Sequence, residues 1–114
     1  MKKILISKEI HSDGMDLLEG KFETVILPDN DPENAKKLIT DADGMVLRTN
    51  IKIDKSIIEA AQQLKVISRT GVGVDNVDVE AATAKGILVC NTPGVNANSV
   101  AEQAVALILA TAKR

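Results

Sequence analysis

Short apolar runs, each opening into a polar turn and followed by a stretch of helical period, constrain this chain more than any other feature. The runs are Ile4-Leu5-Ile6, Phe22 to Leu27, Gly44-Met45-Val46-Leu47, Val66-Ile67 and Ile87-Leu88-Val89-Cys90. Runs this short and this apolar suit strands covered on both faces, as in a parallel sheet. Phe22 to Leu27 alternates instead, which places it nearer the sheet edge.

The intervening stretches carry helix signals. Ser12 can cap a short helix bearing Met15, Leu17 and Leu18 and ended by Gly20. Asp31 precedes Pro32, a capping carboxylate before a proline at the first helical position, and Ala35, Leu38 and Ile39 form one face. Asp54 caps the next helix, with Ile57, Ile58, Ala61 and Leu64 at helical spacing. Asp78 caps a small Ala-rich helix from Val79 to Lys85, closed by Gly86. Ser99 with Glu102 matches a capping box, and the helix it opens is apolar almost all round as far as Lys113. A helix covering one face of a sheet needs an apolar stripe of only roughly 100°, so this one has surface to spare for a second body. Strands alternating with helices, joined by right-handed crossovers, predict a three-layer, doubly wound α/β domain over residues 1–114. Its five parallel strands take the flavodoxin-like order 2-1-3-4-5 most simply.

Composition removes several function classes. A net charge of -2 gives no electrostatic reason to expect nucleic acid or an anionic membrane as partner. One Phe, with no Tyr and no Trp, leaves no stacking platform for single-stranded nucleic acid or a flavin, and makes the core aliphatic. The longest unbroken apolar run, Ala104 to Ala110, falls far short of the roughly 20 residues of a membrane helix. The single cysteine, Cys90, cannot form an internal disulfide, reads as a core residue and fits a reducing cytoplasm. His11, the one histidine, is placed at the surface with no acidic partner at obvious pairing distance. No His/Cys/Asp cluster has metal-ligand spacing, no nucleophile stands beside a base, and no complete catalytic set is present.

In a sheet of this kind ligands bind outside the carboxyl ends of the strands, where Ser7, Arg48, the Gly71–Gly73 turn and Thr92-Pro93 fall. Arg48 follows a buried strand directly, and its planar five-donor fork suits carboxylate or phosphate. The bland alternative is a surface arginine paired to a nearby acid. Gly71-Val72-Gly73 can present successive N–H groups to an anion, or can be a plain strand-to-helix turn that needs positive φ. It is no dinucleotide fingerprint, because Asn76 stands where G-x-G-x-x-G requires a third glycine. Arg69 and Thr70 either support this turn or are exposed, and Asp75 and Asp78 read as turn and cap residues.

These residues carry a resemblance. Arg69-Thr-Gly-Val-Gly-Val-Asp-Asn-Val-Asp78, then Ala81-Ala82-Thr83-Ala84-Lys85-Gly86-Ile87 and Asn91-Thr92-Pro93-Gly94, resemble the D-isomer-specific 2-hydroxyacid dehydrogenases across the whole chain. Val46-Leu47-Arg48-Thr49 and Asn98-Ser99-Val100-Ala101-Glu102 match as well and favour the D-3-phosphoglycerate dehydrogenase branch. The resemblance implies NAD-dependent oxidation of a D-2-hydroxy acid, here 3-phosphoglycerate at the entry to serine biosynthesis. It implies a substrate site in which Gly71, Val72 and Gly73 bind the carboxylate through N–H groups. It further implies that Arg48, with Thr49 beside it, contacts the phosphate, and that Asn96 and Ser99 lie near the nicotinamide in the complete enzyme.

No residue of the chain matches the family's G-x-G-x-x-G site or its catalytic arginine, glutamate and histidine. The expectation is therefore a substrate-binding half that binds no cofactor, with NAD held by a nucleotide-binding domain beyond Arg114 and no turnover from this half alone. The terminal helix then either folds back onto the sheet or pairs with a second copy. A flavodoxin proper would need a Ser/Thr/Gly-rich loop where Ser7-Lys8-Glu9-Ile10 stands, and a phosphorelay receiver would need an aspartate at Arg48. The remaining rival is an autonomous fold fragment with no ligand.

Overall fold

The computed structural model describes residues 1–70, 75–91, 105 and 108. Each apolar run contributes a four-residue strand: β1 (Lys3–Ile6), β2 (Glu23–Ile26), β3 (Gly44–Leu47), β4 (Val66–Arg69) and β5 (Leu88–Asn91). All neighbours pair in parallel in the order β2-β1-β3-β4-β5, the flavodoxin-like order that the pattern predicts. β3 and β4 are buried along their whole length, whereas β2 and β5 have exposed ends, as edge strands do. The connecting helices are α1 (Ser12–Leu18), α2 (Pro32–Ile39), α3 (Lys55–Ala60) and α4 (Val79–Ala84).

Alternation along the strands divides the core in two. Leu5, Met45, Leu47 and Ile67 face α2, α3 and α4, packing with Ala35, Ile39, Ile57, Ile58 and Ala82. Ile4, Ile6, Val46 and Val66 face the other way, onto Leu18 of α1, Phe22, Val105 and Ile108. Val105 and Ile108 are helical and buried, so at these two positions the chain lies on the sheet, as the fold-back alternative requires. Gly44 lies under this face, where a side chain would press on Ile4. A Cβ there would sit 3.1 Å from Ile4 Cδ1, 3.5 Å from Val66 Cγ1 and 3.9 Å from Ile108 Cγ1. The Ser99–Glu102 capping box lies outside the described residues.

Local chemistry sets most helix ends. The carboxylates of Asp31, Asp54 and Asp78 accept from the N–H groups of Glu33, Ile57 and Ala81 as N-caps. Hydrogen bonds from the Ser56 hydroxyl and the Ile57 N–H hold the Asp54 carboxyl below its usual range, which keeps that cap ionised. Gly20 and Gly86 follow α1 and α4 at φ of 81° and 74°, the left-handed closing position expected of them.

Three details depart from the sequence pattern. His11, not Ser12, caps α1: its extended backbone aims Nδ1 at the Asp13 N–H, 3.1 Å away. The same geometry brings the Asp13 carboxylate to 3.7 Å from Nδ1, so His11 does have an acidic neighbour, although it is exposed as expected. The fifth strand begins at Leu88, one residue later than expected, with Ile87 buried just before it.

α3 stops at Ala60, short of Ala61 and Leu64, although both are buried as their spacing suggests. Ala61 turns extended, and the Lys85 ammonium supplies the donors. Its Nζ bonds the carbonyls of Ile58 at 3.1 Å and Glu59 at 3.4 Å, and that of Ala61. A cation at a helix carboxyl end also complements the helix dipole. Lys85→Met keeps most of the stem and removes the donors. It is expected to cost about 1–2 kcal/mol, read as a lowered urea midpoint; an unchanged midpoint would show that water serves these carbonyls equally well.

Candidate substrate site

Parallel strands of equal length bring their carboxyl ends to one rim, and the polar residues there form a continuous network. Ser7, just past β1, is 2% exposed. Its N–H donates to the Val46 carbonyl at 3.0 Å, which holds it against β3. Its Oγ accepts the Arg48 N–H and donates to Asn50 Oδ1, each at 2.8 Å. The Asn50 amide returns a bond to the Ser7 carbonyl at 2.9 Å and reaches Asn30 Oδ1 at 2.8 Å.

The other side of the same segment is held by Asn76. Its Nδ2 donates to the carbonyls of Arg48 at 2.9 Å and Ile51 at 3.1 Å. Its Oδ1 accepts from Arg69 Nε at 2.8 Å. Two carbonyls on one side and a guanidinium on the other fix which way the amide points. Main-chain bonds reinforce the join: the Ile53 N–H donates to the Asn76 carbonyl at 2.8 Å, and the Asp78 N–H to the Ile53 carbonyl at 2.9 Å.

Arg48 is thus gripped by its backbone from both sides while its side chain is exposed. Nη1 donates to the Glu9 carbonyl at 2.6 Å, which steadies the guanidinium over the end of β1. Among the described residues it makes no ion pair with an aspartate or glutamate, so the surface-pair reading finds no partner there. Thr49 stands exposed beside it. Arg69, by contrast, is 7% exposed, a buried cation at the end of β4. It reaches the rim through Asn76 and is not exposed, while the glycine turn it was also expected to support lies outside the described residues.

Of the residues that sequence points to, the described structure brings Arg48 and Thr49 to this rim. Gly71, Val72, Gly73, Asn96 and Ser99 lie outside the described residues. Of the residues around the glycine pair, Thr70 donates its N–H to the Leu47 carbonyl at 2.9 Å and Asn76 holds Arg48, so both flanks are tied to the end of β3. Asn50 and Asn76 are the residues that sequence reading missed. The usable signal for Asn76 was its place seven residues after a strand-end arginine, which its side chain contacts.

Two serines near this rim differ in what their hydroxyls do. Ser7→Ala removes an acceptor for Arg48 and a donor for Asn50 and is expected to cost about 2 kcal/mol. Ser68 is fully buried, and its Oγ has no hydrogen-bond partner among the described residues. Ser68→Ala, the same atomic deletion, is expected to be neutral or slightly stabilising. Thermal unfolding of both variants checks the contrast, and equal losses would contradict it.

The other chemistries find no support at this rim. Burial pushes the Cys90 thiol above its ordinary value, but the residue is only half-buried, packed against the Ile6–Val46 cluster on the edge strand and not inside it, short of the core position expected. No group of three or more His, Cys, Asp or Glu among the described residues could hold a metal ion. No helix among the described residues is long and apolar enough to cross a membrane.

Residues 4–112 match the family model of the D-isomer specific 2-hydroxyacid dehydrogenase catalytic domain. A D-3-phosphoglycerate dehydrogenase of Methanocaldococcus jannaschii is 45% identical over 113 residues, covering 99% of this chain and 22% of that protein. A hydroxypyruvate reductase of Thermotoga maritima is 38% identical over 112 residues, covering 97% of this chain and 37% of the other. Among solved structures, NAD+-bound 3-phosphoglycerate dehydrogenase of Entamoeba histolytica superposes with a TM-score of 0.73 at 34% identity, over 80% of this chain and 32% of that one. The chain therefore spans between 22% and 37% of the length of these relatives. With the family model matched along nearly the whole sequence, the chain belongs to the D-isomer-specific 2-hydroxyacid dehydrogenases.

Proposed function

We propose that these residues form the substrate-holding domain of an NAD-dependent D-3-phosphoglycerate dehydrogenase, acting at the entry to serine biosynthesis in a reducing cytoplasm. The observation that carries this reading is Arg48. Its backbone is fixed from both sides, its fork is exposed at the carboxyl end of the central strand, and no carboxylate among the described residues neutralises it. A guanidinium so placed gains most from a dianionic phosphate, through charge-assisted bonds that a neutral ligand cannot return. The similarity to phosphoglycerate dehydrogenases supports the choice of acid. Gly71, Val72 and Gly73 are the complementary carboxylate site, with Thr49 at the phosphate end and Asn96 and Ser99 toward the nicotinamide.

In this reading the 114 residues bind and orient the acid. The hydride goes from its C2 carbon to NAD, and the hydroxyl proton to a base. Both acceptors belong to the part of the relatives that this chain does not span, and the sequence contains no G-x-G-x-x-G. Calorimetry with 3-phosphoglycerate tests the binding half of the proposal: heat saturating at millimolar ligand or below is expected. No heat at that concentration favours the rival, a fold fragment without a ligand. NADH formation from 3-phosphoglycerate and NAD+ is expected to be absent with these residues alone, and turnover without further chain would overturn the division of labour.

A further inference from the structure

The rim contains one side chain that touches both arginine-bearing segments. Asn76 donates to the main chain at Arg48 and at Ile51, and accepts from Arg69. Those three bonds use both protons of the amide and one of the two lone pairs on its oxygen. Arg48 sits at the start of a turn that is also held on this side, among the described residues, by the Thr70–Leu47, Ile53–Asn76 and Asp78–Ile53 main-chain bonds, none of which reaches the Arg48 carbonyl. The opposite grip, from Ser7, reaches the Arg48 N–H but leaves the peptide after it unrestrained. The guanidinium is steadied at its tip by the Glu9 carbonyl, while the main chain it leaves from is set at the Arg48 carbonyl by Asn76.

We propose that Asn76 is a positioning residue for anion binding: it orients Arg48 toward the charged end of the substrate by locking the peptide between Arg48 and Thr49. The inference rests on the substrate-domain reading and makes a separate demand on it. Asn76 should matter for a ligand only through what Arg48 contributes. A phosphorylated acid should feel its loss, and the same acid without phosphate should not. A residue that merely held the fold would weaken both ligands together.

The experiment is a double-mutant cycle on Asn76→Ala and Arg48→Met, read by amide-resolved NMR titration of the 114-residue chain with 3-phosphoglycerate and, separately, with D-glycerate. Asn76→Ala is expected to weaken 3-phosphoglycerate about tenfold, the size of one charge-assisted hydrogen bond. D-glycerate should change by less than about twofold, within the scatter of independent sites. In the Arg48→Met background, Asn76→Ala should cause no further loss. Equal weakening of both acids, or losses that multiply in the double variant, would overturn the proposal. The spectra report folding directly, and Asn76→Ser, which keeps a shorter donor, takes the same cycle if the alanine variant unfolds. A parent chain that binds neither acid overturns the substrate-domain reading itself, an outcome distinct from a parent that binds both and an Asn76 variant that keeps the preference.

Discussion

Replacing Leu47 with alanine is expected to remove about 3–5 kcal/mol of stability, the range for a large aliphatic deleted from a core that cannot collapse around the gap. Leu47 is fully buried at the end of the central strand and belongs to the cluster shared by α2, α3 and α4. Its neighbours there, Met45, Ile57, Ile58 and Ile67, are also fully buried, so no flexible surface side chain can swing in to fill the space. Domains of this size have total stabilities of about 5–15 kcal/mol, so the variant should be folded but marginal. With a urea dependence of about 1–3 kcal/mol per molar, the midpoint should fall by one molar or more. The carbonyl of Leu47 keeps its bond from the Thr70 N–H, and the Arg48 grip does not involve the Leu47 side chain. Binding measured well below the midpoint should therefore be nearly unchanged. A loss under about 1 kcal/mol would mean that these helices do not pack on β3 as described.

Arg48→Met is expected to do the reverse, sparing stability and removing affinity. The side chain gives up one bond to the fold, Nη1 to the Glu9 carbonyl, and methionine retains much of the aliphatic stem. Stability should change by about 1 kcal/mol or less, the net value of one exposed hydrogen bond. Affinity for 3-phosphoglycerate should fall about ten- to a hundredfold, the equivalent of one or two hydrogen bonds to a charged group. Arg48→Lys should recover only part of it, since an ammonium cannot make the bidentate contact. Because the site is exposed, the parent's affinity should weaken with salt and the variant's much less. A parent and Arg48→Met with equal affinities would remove Arg48 from the site, whatever holds for the glycine turn.

The parts of this molecule that the sequence makes legible are those in which cause and effect are close in the chain. Asp31, Asp54 and Asp78 cap helices that begin one residue later, and Gly20 and Gly86 close α1 and α4 within two residues of their ends. Buried strands announce themselves by unbroken apolar runs, and Arg48 by following one directly. What escapes is decided from a distance. α3 ends where it does because Lys85 reaches back to its last carbonyls, and the periodicity of Ala61 and Leu64 carries no hint of that. Asn76 reads locally as a turn residue. Its work is to bond main chain at residues 48 and 51, a pairing visible only once β3 and β4 lie side by side. His11 escapes for a smaller reason: serine is the usual cap, but the imidazole nitrogen reached the free N–H first.

The two faces of the sheet also differ in when they can be finished. The face over Leu5, Met45, Leu47 and Ile67 is closed by residues 27 to 87, each helix arriving soon after the strand it covers. The face over Ile4, Ile6, Val46 and Val66 draws its cover from the two ends of the chain, with Leu18 at one and Val105 and Ile108 at the other. A chain leaving the ribosome at about 5–20 residues per second has all five strands available before Ile108 emerges. For those seconds this face has only the cover that Leu18 and Phe22 give it, and joining residue 4 to residue 108 is the longest closure among the described residues. Val105 and Ile108 complete this face, and nascent chains stopped before them are where aggregation and chaperone binding should concentrate.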